Sequence, residues 1–291
     1  MSVQSAIKTS IFSLLLNFFM AAGKWVVGYF GHSYALMADA IESSTDIFSS
    51  VIVYMGLKIA AKPADENHPY GHGKAEPIAT FLVCAFLVFS AILIAVQSIT
   101  HIRTPHKIPE AYTLYFLLGI VISKEIAYRL VSRKGKETNS TVLEADAWHH
   151  RSDAITSLAA MIGISIALFG GDGYETADDW AALFTSAIIL YNAYLIFRPA
   201  LGEMMDEHQY DEMVTQIRSI SHEVPGVVDT EKCFIRKAGL TFYVDLHLVV
   251  DGNITVREGH SIAHNLKDTI RSKMPEIADI IVHVEPFKEN P

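Results

Sequence analysis

Six apolar stretches, each long enough to cross a bilayer, fill the first two-thirds of this chain and leave few folds open to it. They lie near residues 7–30, 34–58, 76–99, 111–131, 142–169 and 178–197. A helix needs about 20 mostly apolar residues to cross the hydrocarbon core, where every backbone polar group must be satisfied inside the segment. The 291-residue chain is 51% hydrophobic and 19% charged, below the roughly 25% charge of a soluble domain. The first stretch is too long for the apolar part of a signal peptide and lacks a small-residue cleavage site, so it reads as a helix that stays. Lysines and arginines orient the bundle. Lys58, Lys62 and Lys74 in one joint, and Arg129, Arg133, Lys134 and Lys136 in another, fall on one side; the opposite side has Arg103 and Lys107. Both termini are therefore expected in the cytoplasm.

Within these stretches a nine-residue phrase occurs twice. Residues 38–46 read A-D-A-I-E-S-S-T-D and residues 145–153 read A-D-A-W-H-H-R-S-D. Positions i and i+4 share a helix face, so Glu42 pairs with Asp46 and His149 with Asp153. Asp39 and Asp146 lie a turn further back on roughly the same faces. Ionisable groups inside membrane helices are expensive and mark functional sites by default. Three carboxylates and one imidazole make a ligand set for a divalent metal. The bland alternative is a set of structural charges paired with each other or with Lys24. Spacing alone also leaves a second face open, because Asp146 and His150 are likewise four apart. The two stretches run antiparallel, which suggests two three-helix halves of inverted topology with a site near the midplane.

From about Glu207 the composition becomes that of a soluble domain. A helix is predicted over 210–221, strands over 227–237, 242–250 and 279–284, and a second helix over 256–274 with Pro275 after it. That order suggests a small α+β sandwich with its helices on one face of a sheet. The chain thus divides into a six-helix transmembrane domain, residues 1–206, and a cytoplasmic domain, residues 207–291.

Two further clusters have metal-competent spacing. The joint between the second and third stretches reads P-A-D-E-N-H-P-Y-G-H-G-K-A-E, in which Asp65, His68 and His72 can converge in a bent loop. In the soluble part, His247 lies on the polar face of its strand, while His283 and Glu285 alternate on the last one. His260 and His264 lie one turn apart on the helix. Cys84 and Cys233 form no C-x-x-C, so a disulfide framework and a cysteine-based zinc site are not indicated. No P-loop, H-E-x-x-H or G-x-S-x-G is present. The net charge of −9 argues against nucleic-acid binding.

E-S-S-T-D at 42–46, H-H-R-S-D at 149–153, D-E-N-H-P-Y-G-H-G-K-A-E at 65–76 and the tail phrases D-L-H-L and V-H-V-E-P resemble the cation diffusion facilitators over nearly the whole chain. The resemblance implies six transmembrane helices and a ferredoxin-like, metallochaperone-like cytoplasmic domain. It implies a homodimer in the lipid bilayer that exchanges a divalent metal for protons, a secondary transporter and not an enzyme. It places the transport site at Glu42, Asp46, His149 and Asp153, choosing His149 over His150. It places a loop site at Asp65, His68 and His72, and a two-metal cytoplasmic site at His247, His260, His283 and Glu285. Glu231 stands where a cytoplasmic ligand of the family is often histidine. Lys74 with Asp206 corresponds to the family's charge interlock.

The expected activity is proton-coupled export of a divalent cation from the cytoplasm by alternating access. Metal is substrate and regulatory ligand, and no cofactor is expected. Oxygen donors at Glu42, Glu231 and Glu285 shift the preference toward harder metals, while His149 retains zinc; zinc ranks first, ahead of ferrous iron, manganese and cobalt. The rival readings are a passive metal channel, a membrane metalloenzyme and a membrane-bound metal sensor. Short loops and the lack of targeting peptides point to the plasma (inner) membrane of a prokaryote, spanned several times.

Overall fold

The computed structural model describes residues 3–30, 34–103, 112–170 and 177–287. It contains six long helices, α1 (Val3–Phe30), α2 (Tyr34–Ala60), α3 (Ala75–Arg103), α4 (Tyr112–Thr138), α5 (Thr141–Gly170) and α6 (Ala177–Met204). Then follow α7 (Asp211–Ser221), β1 (Asp229–Ala238), β2 (Thr241–Val250), α8 (Val256–Lys273) and β3 (Ile277–Pro286). The chain forms two compact units, one of Met1–Ala61 with Ala75–Ala200, the other of Lys62–Lys74 with Leu201–Pro291. In this division the short 62–74 loop and residues 201–206 group with the C-terminal unit.

In the first unit α1 packs on α2 and α4, α5 packs on α2, α3 and α4, and α2 also meets α3. Its polarity is inside-out. Phe12, Phe18, Phe19, Leu82, Phe89, Val96, Ile122 and Ile126 face outward, while Ser13, Asn17, Asp46, Lys124, Asp146, His149 and His150 are buried. An apolar exterior on this scale is what a soluble fold avoids and a bilayer stabilises. By length and hydropathy, Gln4–Val26 and Ala75–Thr100 qualify as membrane spans among the described residues. The charged residues of α2, α4 and α5 dilute the hydropathy of those helices. Glu76, fully buried near the start of α3, accepts from Ser140 Oγ at 2.5 Å and from the Val142 amide at 3.3 Å. A carboxylate there satisfies the first turn of α5 and complements its dipole.

In the second unit the strand order is β1-β2-β3, with β1–β2 antiparallel and β2–β3 parallel. A parallel pair needs a crossover, and α8 supplies it. Thr255 and Glu258 close a capping box at its start. Strand β2 alternates: Phe242, Val244, Leu246, Leu248 and Val250 are buried against a core that includes Ile217, Leu266 and Ile270. Tyr243, Asp245 and His247 fall on the opposite face. Gly73 lies so close to Ala238 that an added Cβ would sit 2.3 Å from its carbonyl carbon, so the 62–74 loop can approach the β1–β2 turn only with glycine there.

Candidate metal centre

The buried cluster of the helical unit is assembled from two helices, α2 and α5. His149 Nε2 lies 3.1 Å from Asp46 Oδ1 and 3.7 Å from Asp153 Oδ2. Donor atoms of Asp46, His149 and Asp153 all fall within 4.8 Å of one another. Helical spacing explains the pairing of His149 with Asp153; the approach of Asp46 depends on α2 packing against α5. The fourth expected member, Glu42, has its side chain outside the described residues, although its backbone belongs to α2.

The sequence reading missed Lys124. Its Nζ donates to Asp153 Oδ2 at 2.6 Å and to Asn17 Oδ1 at 3.0 Å, and it lies 3.5 Å from Asp46 Oδ2. Asn17 is oriented in turn by its Nδ2, which donates to Ser50 Oγ at 2.7 Å. The signal was present, since an ammonium in the middle of an otherwise apolar stretch is a functional candidate. Lys24, the cation weighed as a partner for these acids, donates to Ser43 Oγ at 2.6 Å. The two neighbouring histidines turn to different partners. His150 turns toward α1, with Nε2 2.7 Å from Ser13 Oγ and 4.0 Å from Asp146 Oδ2. Of these two histidines, His149 is the one that joins Asp46 and Asp153.

The loop cluster is exposed and locally built. Asp65 accepts from the amides of His68 and Asn67, at 2.7 and 3.0 Å, and its Oδ1 lies 3.0 Å from His68 Nδ1. The backbone bond from His68, with that ring contact, holds the Asp65 carboxyl below the usual carboxylate range. His72 sets Nδ1 3.3 Å from the Pro63 carbonyl and Nε2 3.4 Å from Asp65 Oδ2. A ring that donates through Nδ1 presents a lone pair at Nε2, the state a metal ligand requires. Lys74 Nζ, at the end of this loop, donates to Asp206 Oδ1 and to the Glu203 carbonyl, each at 2.6 Å.

The third cluster lies on the sheet face opposite the helices. His247 and His283 are paired residues of β2 and β3, with ring centroids 4.9 Å apart. Glu285 Oε1 is 2.6 Å from His247 Nδ1 and 3.6 Å from His283 Nε2. Strand β1 is bulged between Thr230 and Cys233, so Glu231 and Lys232 together oppose the single residue His247. Bulges re-aim side chains, and this one brings Glu231 within bonding reach of Glu285. Hydrogen bonding from Glu231, then from His247, lowers the Glu285 carboxyl below its ordinary pKa. His260 departs from the expected set. It lies beside His264 on α8, ring centroids 4.5 Å apart, and does not join the His247–His283–Glu285 group. Helix α8 packs on the other face of the sheet, which separates the two within one protomer.

Two family models match consecutive parts of the chain. The family model described as the cation efflux transmembrane domain matches residues 10–205, and that described as the cation efflux protein cytoplasmic domain matches residues 209–287. The chain is 30% identical over 289 residues to the manganese efflux system protein MneP of Bacillus subtilis, covering 97% of this chain and 96% of that protein. It is 28% identical to the cation-efflux pump FieF of Shewanella oneidensis, over 92% of this chain and 90% of the relative. It is 29% identical to the magnetosome protein MamB of Magnetospirillum gryphiswaldense, over 92% and 89%.

Proposed function

Because the chain belongs to the cation efflux family, we propose that it moves a divalent metal cation out of the cytoplasm by alternating access at Asp46, His149 and Asp153, in exchange for protons. The observation that carries this reading is the convergence of those three donors, from α2 and α5, in the buried interior of the helical unit. Glu42 is the proposed fourth ligand, one helical turn from Asp46. All six long helices cross the membrane in this reading, with both termini and the C-terminal unit in the cytoplasm and the chain in the plasma (inner) membrane.

The cycle follows from the ligand chemistry. Metal binds deprotonated carboxylates and a neutral imidazole, so protons compete with it for the same atoms. On the side where protons are more abundant they displace the metal; the protonated carrier then returns. Four protein ligands leave little room for a metal-activated water, which argues against the metalloenzyme reading. One compact site suits a carrier better than a channel, which needs several weak ones.

The loop cluster and the cytoplasmic cluster are proposed as further metal sites. In the cytoplasmic one, Glu231, His247, His283 and Glu285 come from one protomer. His260 would join only from a second copy, consistent with the dimerisation domain of the family. For the transported metal, the predominance of oxygen donors and the manganese efflux named for the 30% relative favour manganese. The imidazole keeps zinc as a second reading, ahead of ferrous iron and cobalt.

The test is flux into proteoliposomes with manganese, zinc and ferrous iron side by side, with and without a pH gradient. Gradient-dependent flux of one metal, lost in Asp153→Ala, is expected. Flux that ignores the gradient would replace the antiporter with a channel. Stoichiometric binding without flux would replace it with a sensor.

A further inference from the structure

The ammonium of Lys124 stands where a second cation would have to enter. It is 2% exposed, within 2.6 Å of Asp153 and 3.5 Å of Asp46, and these are two of the three carboxylate and imidazole donors of the cluster. A site holding two carboxylates in a low-dielectric interior is unstable without positive charge. We propose that Lys124 is a tethered counter-cation, which occupies the site when metal is absent and which incoming metal must displace. The inference rests on the reading of Asp46, His149 and Asp153 as transport ligands.

The geometry provides for the exchange. Asn17 Oδ1, 3.0 Å from Nζ, is a neutral acceptor held in place by Ser50. It gives the ammonium a partner that is not a metal ligand, so the lysine can give up its carboxylates without being left bare. What changes in this exchange is the position of the ammonium relative to the acids. Two consequences follow. Metal binding is weakened by the work of displacing a cation, and metal release is assisted by the return of that cation. The empty carrier also recrosses with part of its negative charge already balanced.

The experiment compares wild type with Lys124→Met, Lys124→Arg and Asp153→Ala in the full chain. All carry His68→Ala and His247→Ala to silence the other two clusters. Equilibrium binding of Mn²⁺ and Zn²⁺ is measured by calorimetry, and turnover by proteoliposome flux. Removing one unit charge about 4 Å from the site should tighten metal binding about tenfold or more and slow turnover by a similar factor. Lys124→Arg, which keeps the cation, should remain near wild type in affinity. Unchanged or weaker binding by Lys124→Met would overturn the proposal, because a lysine that merely oriented the acids would loosen the site when removed. Lys124→Gln is read by the same criterion if the methionine variant does not fold. Loss of binding in Asp153→Ala with no tightening in Lys124→Met leaves the transport site standing and removes the counter-cation. Full binding by Asp153→Ala removes both.

Discussion

The guanidinium of Arg236 on β1 lies 4.7 Å from the ring centre of Tyr70. Tyr70 belongs to the loop that carries Asp65, His68 and His72, and its ring meets that of Tyr243 edge-on at 6.0 Å. The Tyr243 hydroxyl also donates to the Tyr70 carbonyl at 3.3 Å. The candidate loop site is therefore clamped against the sheet of the C-terminal unit. A cation–π contact at an exposed site contributes about 0.5–1 kcal/mol. Arg236→Ala should accelerate hydrogen exchange across residues 62–74 and weaken metal binding there by about two- to fivefold. Exchange rates equal to wild type would mean that Gly73 and the tyrosines hold the loop without the arginine.

Neighbouring histidines should separate by function. His149→Ala removes a donor of the buried cluster and is expected to abolish flux while the protein stays folded. His150→Ala leaves that cluster intact but strips Ser13 of its buried partner. It should cost about 1–3 kcal/mol of stability, seen as a lower melting temperature in detergent, with metal binding retained. Loss of binding in both variants to the same degree would contradict the assignment of faces.

Lys237 Nζ is 3.1 Å from Glu203 Oε2, and both side chains are almost fully buried. Removing one member of such a pair leaves an uncompensated charge and costs about 3–5 kcal/mol. Glu203→Leu alone should lower thermal stability strongly. The double variant Glu203→Leu, Lys237→Met should recover much of the loss, and a double-mutant cycle reads the coupling directly.

The cytoplasmic cluster should respond to acid in a definite direction. Glu285 has its folded-state pKa depressed from the ordinary 4.5, by Glu231 first and His247 second. A depressed carboxylate stabilises the fold above its ordinary pKa, and that contribution disappears as pH falls through the lowered folded value. Melting curves of the metal-free protein should therefore drop through and below the ordinary glutamate range, and Glu285→Gln should flatten part of that slope.

Much of this protein was legible in its sequence because the relevant signals are local. Long apolar runs mark the six long helices. Alternation from Phe242 to Val250 marks β2, and the i,i+4 rule pairs His149 with Asp153 before any tertiary contact is known. The phrase repeated at 38–46 and 145–153 points to the helices that carry the candidate site. Other features depend on what packs against what. Nothing in the spacing of α4 says that Lys124 turns toward Asp153, or that Lys24, equally isolated in an apolar stretch, turns to Ser43. The different partners of His149 and His150 depend on Asp46 of α2 meeting one ring and Ser13 of α1 the other. The bulge that aims Glu231 at Glu285, and the sheet that keeps His260 from His247, come from strand register and from the side on which α8 packs. The sequence by itself determined which residues could bear charge inside the bundle, because burial of charge is written in composition and periodicity. Tertiary structure decided which of them meet, because an ion pair across helices is set by rotation and approach distance, and neither is encoded within a single segment.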